Sequence, residues 1–251
     1  MAMYAYRDEA RTIRVLAKDT TERNKGIRYY CPNKNCRAKM FIRSWDGERK
    51  SFFAASGKPS HIEHCPYGSE NTYNPQKTKE EGFNSDDAIS KLMKITSKKN
   101  VRKTNTKQAV GGGTEGAIVP HTILQIYDMC KAHYCEDTFN SQLIGQILLD
   151  SRSIYMYPKG VFGYRIIEAK CRAHLYDVEN IYLETPIDNV KYQLKLHFED
   201  TGLYKQLRQL LFNNQNHIIT IAGKWEKSEV YNCFVTEVVS NRQIKVLKQE
   251  L

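Results

Sequence analysis

Two short segments hold the residues whose types and spacing could do chemistry: Cys31-Pro-Asn-Lys-Asn-Cys36, and about two dozen residues later His61-Ile-Glu-His-Cys65-Pro. Each offers two soft donors on one turn. A tetrahedral Zn²⁺ requires such an arrangement, because a short turn can present two ligands at about 2.0–2.3 Å without backbone strain. The ligand set read from the sequence is Cys31, Cys36, His61 and Cys65. His64 is a rival to His61, but it adjoins Cys65, and adjacent side chains on extended or turn backbone point apart. Four protein ligands leave no open coordination position, so the expected ion is structural Zn²⁺. The plainer alternative is two unrelated thiol pairs in a reduced domain.

Positioning these turns falls to short strands. Residues 3–17 read as two strands around a polar Arg-Asp-Glu turn, and Ile27–Tyr30 as a strand delivering Cys31. Ala38–Trp45 and Glu48–Ala54 read as a hairpin turning at Asp46-Gly47. The first half-site then precedes a hairpin and the second follows it, an order resembling a zinc ribbon whose small core is completed by metal. The opening strand pair, the Tyr-Tyr-Cys-Pro turn with its second Cys, the hairpin, Phe52-Phe-Ala and the His-x3-Cys-Pro ending together resemble the N-terminal zinc module of competence CoiA-like proteins, over about the first 70 residues. That resemblance implies DNA-related work. It transfers no active site, since the nuclease domain that follows in CoiA-like proteins has no counterpart in the sequence pattern here.

Of the 251 residues, 38 are Lys or Arg and 28 are Asp or Glu, a net charge of +10. The excess is confined to the first half: 14 against 7 in residues 1–68, 9 against 6 in 69–118, and 15 against 15 in 119–251. A basic module suits a polyanionic partner, most often nucleic acid, or serves as a solubilising surface. No apolar run reaches the length of a membrane span, and no basic-then-apolar leader pattern opens the chain. With seven cysteines and no export pattern, metal ligands and free thiols in a reducing cytoplasm are the expectation.

Four regions are expected: a zinc-binding module at 1–68, a basic flexible linker at 69–118, a helical connector at 119–163 and a barrel at 164–251. The linker is rich in Ser, Asn, Thr and Lys and closes on Gly111–Gly113. Asp86–Ile95 within it has helical periodicity, and Lys91, Lys94, Lys98, Lys99, Arg102, Lys103 and Lys107 form either a phosphate-tracking arm or a solvated tether. Pro120 begins a helix with Ile123, Ile126, Tyr127, Cys130 and Tyr134 on one stripe. Cys130 and Cys135 repeat the first half-site spacing but face apart on a helix, so they read as ordinary thiols. Residues 154–157 read as a strand.

From Arg165 onward the order is strand, strand, strand, helix, strand, strand, with the last strand broken near Ser240-Asn241. The helix, 201–212, is expected to be capped by Thr201 and to bury Leu203, Leu207, Leu210 and Leu211. That order resembles an OB fold, in which a helix plugs the barrel between strands three and four. The fold class expected is α+β, mostly β: zinc ribbon-like module, linker and five-stranded OB-like barrel. Alternation puts Lys170, Arg172, His174, Tyr176, Tyr182, Lys195 and His197 on one outer face with Glu168, and Trp225 extends it. Cations for phosphates and rings for bases are what single-stranded nucleic acid needs.

No catalytic constellation is legible. Gly111–Gly113 lacks the strand and Lys-Ser/Thr of a phosphate loop, and Asp150, Glu168 and Lys170 only mimic a metal-nuclease triad. The expectation is a non-enzymatic zinc protein binding single-stranded DNA or RNA in a DNA-processing, repair or defence assembly. A scaffold subunit whose barrel grips a protein, and a nuclease with a cryptic site, are the alternatives.

Overall fold

The computed structural model describes residues 1–94, 118–187 and 192–250, without the side chains of 172–175 and 249–250. Its first sheet comprises β1 (Tyr4–Tyr6), β2 (Arg14–Leu16), β3 (Tyr29–Tyr30), β4 (Lys39–Arg43) and β5 (Phe52–Ala55), in the order β2-β1-β3-β4-β5. Asp8 closes the β1–β2 turn, its carboxylate accepting from the amides of Thr12 and Ile13. A bridge between Ala2 and Phe53 brings β5 back toward the start of β1. The hairpin exists, but its connection spans residues 44–51 rather than two residues at Asp46-Gly47, because Arg43 pairs with Phe52. Ser44 and Gly47 take positive φ (54° and 84°), which lets the longer loop reverse.

The first part of the expected linker is packed. Tyr73, Phe83, Ile89 and Leu92 join the core around the central helix, and α1 (Ser85–Leu92) is capped by Asn84, whose side chain accepts from the Asp87 amide. Few apolar residues in a polar context hide such a segment from composition, yet two rings and one helical face suffice to anchor it. Residues 95–117, with Lys98, Lys99, Arg102, Lys103, Lys107 and Gly111–Gly113, lie outside the described residues. The connector holds α2 (Ile123–Ala132), the short pair β6 (Thr138–Phe139) and β7 (Gln142–Leu143), α3 (Ile144–Ile147) and β8 (Leu148–Leu149). Thr122 and Gln125 form a capping box at the start of α2. Residues 154–157 are not a strand: Ile154–Met156 is a 3₁₀ turn. The Asp150 carbonyl accepts from the amides of Ser153 and Ile154 and winds the chain there.

Beyond it, β9 (Gly163–Tyr176), β10 (Asn180–Glu184), β11 (Gln193–His197), α4 (Thr201–Phe212), β12 (His217–Lys227), β13 (Cys233–Glu237) and β14 (Ile244–Glu250) follow in order. Five of these strands close as β9-β10-β11-β13-β12-β9, with β11–β13 parallel and the other pairs antiparallel, and α4 lies between β11 and β12. The result is a closed, OB-like five-stranded barrel filled by Ile167, Leu183, Leu194, Leu196, Ile219, Ile221, Trp225 and Phe234. The expected last strand divides at the 3₁₀ turn Asn241–Gln243, so β14 leaves the barrel and pairs with the outer half of β12. Gly223 is required where β12 curls: a Cβ there would sit 2.2 Å from Thr236 Oγ1. On α4 the cap is Asp200, whose carboxylate accepts from the amides of Gly202 and Leu203. Tyr204, Leu207 and Leu211 are its buried residues, while Leu210 is exposed.

Candidate metal centre and its surroundings

The four residues read as ligands come together. One donor atom from each of Cys31, Cys36, His61 and Cys65 lies within 4.8 Å of all the others, so the group could bind a metal ion. Cys31 and Cys65 sulfurs are 3.7 Å apart, and Cys36 Sγ is 3.4 Å from His61 Nδ1. A tetrahedron with Zn–S bonds of about 2.3 Å has edges of about 3.7 Å, close to these two spacings. The first turn leaves β3, and Arg11 fixes it from outside: its Nε donates to Cys31 O at 2.8 Å, and Nη2 donates to the carbonyls of Asn33 (2.9 Å) and Cys36 (2.8 Å). The second turn follows β5 and is closed by Cys65 N donating to Ile62 O and Gly68 N donating to Cys65 O. His64, with φ of 54°, swings outward and binds Glu70 at 2.9 Å.

The four donors differ in proton affinity: Cys36 and Cys65 are shifted toward the thiolate, Cys31 and His61 toward the protonated form. A hydrogen bond from Cys31 is the largest influence bringing the Cys65 thiol down to about 4 and that of Cys36 down to about 6; His61 adds to the first. Burial holds the Cys31 thiol high. For His61, burial favours the neutral ring, but the neighbouring Cys65 and Cys36 outweigh it and raise its pKa. Thiolates are the species that ligate zinc.

A second cluster joins the module to the barrel. Lys131, on the last turn of α2, donates from Nζ to Asp150 Oδ2 at 2.9 Å and to Glu168 Oε1 at 3.0 Å. Tyr127 donates its hydroxyl to Glu168 at 2.7 Å, and Arg152 Nε donates to Asp150 at 2.8 Å. Arg152 also donates to the carbonyls of Cys130 and His133, capping α2, and to the hydroxyl of Tyr4 at 3.2 Å. Tyr4 in turn shares a 2.6 Å hydrogen bond with Tyr67, two residues past Cys65. Two buried carboxylates thus face the buried Lys131 and the partly buried Arg152. Burial opposes ionisation of Asp150, yet Arg152 and Lys131 hold its pKa well below the carboxylate range; for Lys131, Asp150 and Glu168 likewise outweigh burial. Glu168 is therefore not an exposed residue of a binding face. It lies under α2, and the ammonium of Lys131 occupies the space between it and Asp150.

The other expected contacts scatter. Trp225 is 1 % exposed in the barrel core, its Nε1 donating to Arg165 O at 3.3 Å, so it extends no outer face. Tyr176 stands opposite the core residue Ile181 because the β9–β10 register shifts between Ile181 and Leu183; it lies beside α4, under Arg208 at 4.8 Å. The side chains of Arg172 and His174 lie outside the described residues. Lys170, Tyr182, Lys195 and His197 are partly exposed on the outer face. Tyr182 pairs with Lys195, Lys170 with Glu184, and His197 with both Asn180 and Glu237. Cys130 and Cys135 join no metal group; Cys130 is a core thiol and Cys135 donates to Arg152 O. Of the residues that mattered, Arg11, Tyr127 and Lys131 carried no signal in spacing, because the site groups they bind lie 19 to 41 positions away, and Arg152, though two positions from Asp150, reaches groups 19 to 148 positions away. Among the described residues, no helix is long and apolar enough to cross a membrane.

No protein-family model matches the chain, and no curated protein or solved structure matches it.

Proposed function

We propose that this chain is a non-enzymatic, zinc-containing protein that binds single-stranded nucleic acid on the outer face of its barrel, as one part of a DNA-processing, repair or defence assembly. The zinc is structural, held by Cys31, Cys36, His61 and Cys65. The observation carrying the reading is the pairing of Tyr182 with Lys195 on adjacent strands, both partly exposed, with Lys170 and His197 on the same face. A stacking platform beside a phosphate-seeking cation is the minimal unit for an unpaired nucleotide, at about 1–3 kcal/mol per stacked base. The two carboxylates that a cryptic nuclease would use are both bound to Lys131. Exposed Val230 and Tyr231 at the β12–β13 turn favour the second reading, a scaffold barrel gripping a protein.

Binding of a fluorescent oligothymidylate, titrated against salt, tests the proposal. A steep loss between 50 and 200 mM salt, together with weakening of about tenfold in Tyr182→Ala, is expected. Absence of binding at low salt favours the scaffold instead. Magnesium-dependent cleavage that disappears in Asp150→Asn would make the protein an enzyme.

A further inference from the structure

The zinc module has an outer sheet face that none of the reasoning above uses. Across β3, β4 and β5, Tyr30 pairs with Lys39, Phe41 with Ala54, and Arg43 with Phe52. Paired residues share a face, as do alternate residues along a strand. Tyr30, Lys39, Phe41, Arg43 and Phe52 therefore stand together, opposite the buried set Tyr29, Met40, Ile42 and Phe53. All five are partly or fully exposed, and none of the three rings belongs to the module's core cluster or packs against it.

Their order matters more than their number. Phe41 is the diagonal neighbour of Tyr30 across β3–β4, and Phe52 is the diagonal neighbour of Phe41 across β4–β5. Diagonal neighbours on a sheet lie about 7–8 Å apart, so the three rings form an oblique row. A cation flanks each end: Lys39, whose ammonium sits 3.4 Å from the centre of the Tyr30 ring, and Arg43 opposite Phe52. The strands β3, β4 and β5 contain no Asp or Glu, and neither Lys39 nor Arg43 is in a salt bridge among the described residues. A ladder of rings between cations held in no salt bridge among the described residues, on the half of the chain that carries the positive excess, complements a strand of bases with a charged backbone. A protein partner would have to bring carboxylates to both ends of an otherwise apolar strip.

We propose that the β3–β5 face of the zinc module is a second single-stranded nucleic-acid surface, with Tyr30, Phe41 and Phe52 stacking successive bases and Lys39 and Arg43 contacting phosphates. The zinc turn, emerging directly from β3, holds this face in register. The inference extends the proposed function to a second site and does not depend on the barrel being the first.

Anisotropy of a labelled oligothymidylate on the zinc-loaded full chain decides it. Three variants are compared: Phe41→Ala/Phe52→Ala, Lys39→Glu/Arg43→Glu, which leaves every ring in place, and the barrel variant Tyr182→Ala/Lys195→Ala. Zinc content and melting temperature report whether each folds. Each lost ring is expected to weaken binding about tenfold, and the charge variant to lower the salt slope by about 1 to 2. Loss in both module variants supports the second surface, whether or not the barrel variant also loses affinity. Unchanged affinity in the charge variant, with loss in the barrel variant, overturns it and leaves the barrel reading standing. An unmodified chain that binds no oligonucleotide at 50 mM salt overturns both.

Discussion

The zinc module and the barrel are both small β structures, but their interiors differ in kind. The barrel is filled with branched and aromatic side chains, among them Ile167, Leu183, Leu194, Leu196, Ile219, Ile221, Trp225 and Phe234. The module's core contains four alanines, three metal-site cysteines and three tyrosines, with Ile42 as its one branched aliphatic among fully buried members. At roughly 25 cal/mol per Å² of apolar surface, the module's Ala and Cys gain little from burial and its core rests on Tyr4, Tyr29, Met40 and Phe53, whereas each Leu or Ile of the barrel contributes about 1.5–3 kcal/mol. Closure also differs. The barrel seals its edges through the β9–β12 pairing, whereas the module relies on two turns meeting at one cluster of ligands and on Arg11 holding the first. The barrel is held by hydrophobic burial, the module combines a smaller core with a Cys/His cluster that could bind a metal ion, and the Lys131–Asp150–Arg152 network is the seam between them.

Removing a ligand should divide the two regions most sharply. Cys65→Ser is expected to lower zinc from about one ion per chain to near zero by mass spectrometry, because structural zinc contributes folding free energy outright. Hydrogen exchange should then quicken in β1–β5 while β9–β13 stay protected; uniform loss of protection would mean that the two fold as one unit. A smaller but still large effect is expected at the seam. Lys131→Met leaves Glu168 and Asp150 buried with one cation fewer, which costs about 3–5 kcal/mol and should lower the thermal midpoint without releasing zinc. Retained stability would show that water enters and solvates the carboxylates.

The smallest predicted effect is pH dependence at His133. Burial depresses its pKa, and its Nδ1–H donates to Met129 O at 2.9 Å while the ring packs on Tyr73 and Phe139. A group whose folded pKa lies below its unfolded value near 6.5 stabilises the protein fully above that pH and loses the contribution as pH falls. Thermal stability should thus decline as pH drops from 7 to 5.5, by up to about 1.4 kcal/mol per pH unit for one proton. His133→Gln should flatten that slope; an unchanged slope would show that His133 is not its source.

Much of both regions was legible in order of residues. The ligand set could be read because both half-sites are local: each pair of donors sits within one turn, so its spacing encodes its geometry. The barrel's strand sequence, the plug helix and the break near Ser240 were equally local. What alternation could not anticipate was covering by other elements. Glu168 has the pattern of an outward residue, and it does point out of the barrel, but α2 lies over it and Lys131 meets it there. Trp225 shares the two-residue phase of the core residues Ile219 and Ile221 along β12, so there alternation itself marks a barrel-core residue. Tyr176 changes neighbours after the β9 register shift, which no two-residue periodicity reports. Composition failed for residues 69–94 for a related reason: Tyr73 and Phe83 are sparse along the chain but arrive at the same core.

By itself, the amino-acid order determined the four donors, the strand succession, the plug helix and the concentration of positive charge in the first half. The tertiary structure decided which outward positions remain outward, which carboxylates share an ammonium, and that Tyr30, Phe41 and Phe52 fall into one row. The division has a physical cause. Turn geometry and strand alternation are set by bonds between near neighbours, whereas burial and ion pairing depend on which distant segment packs against a face.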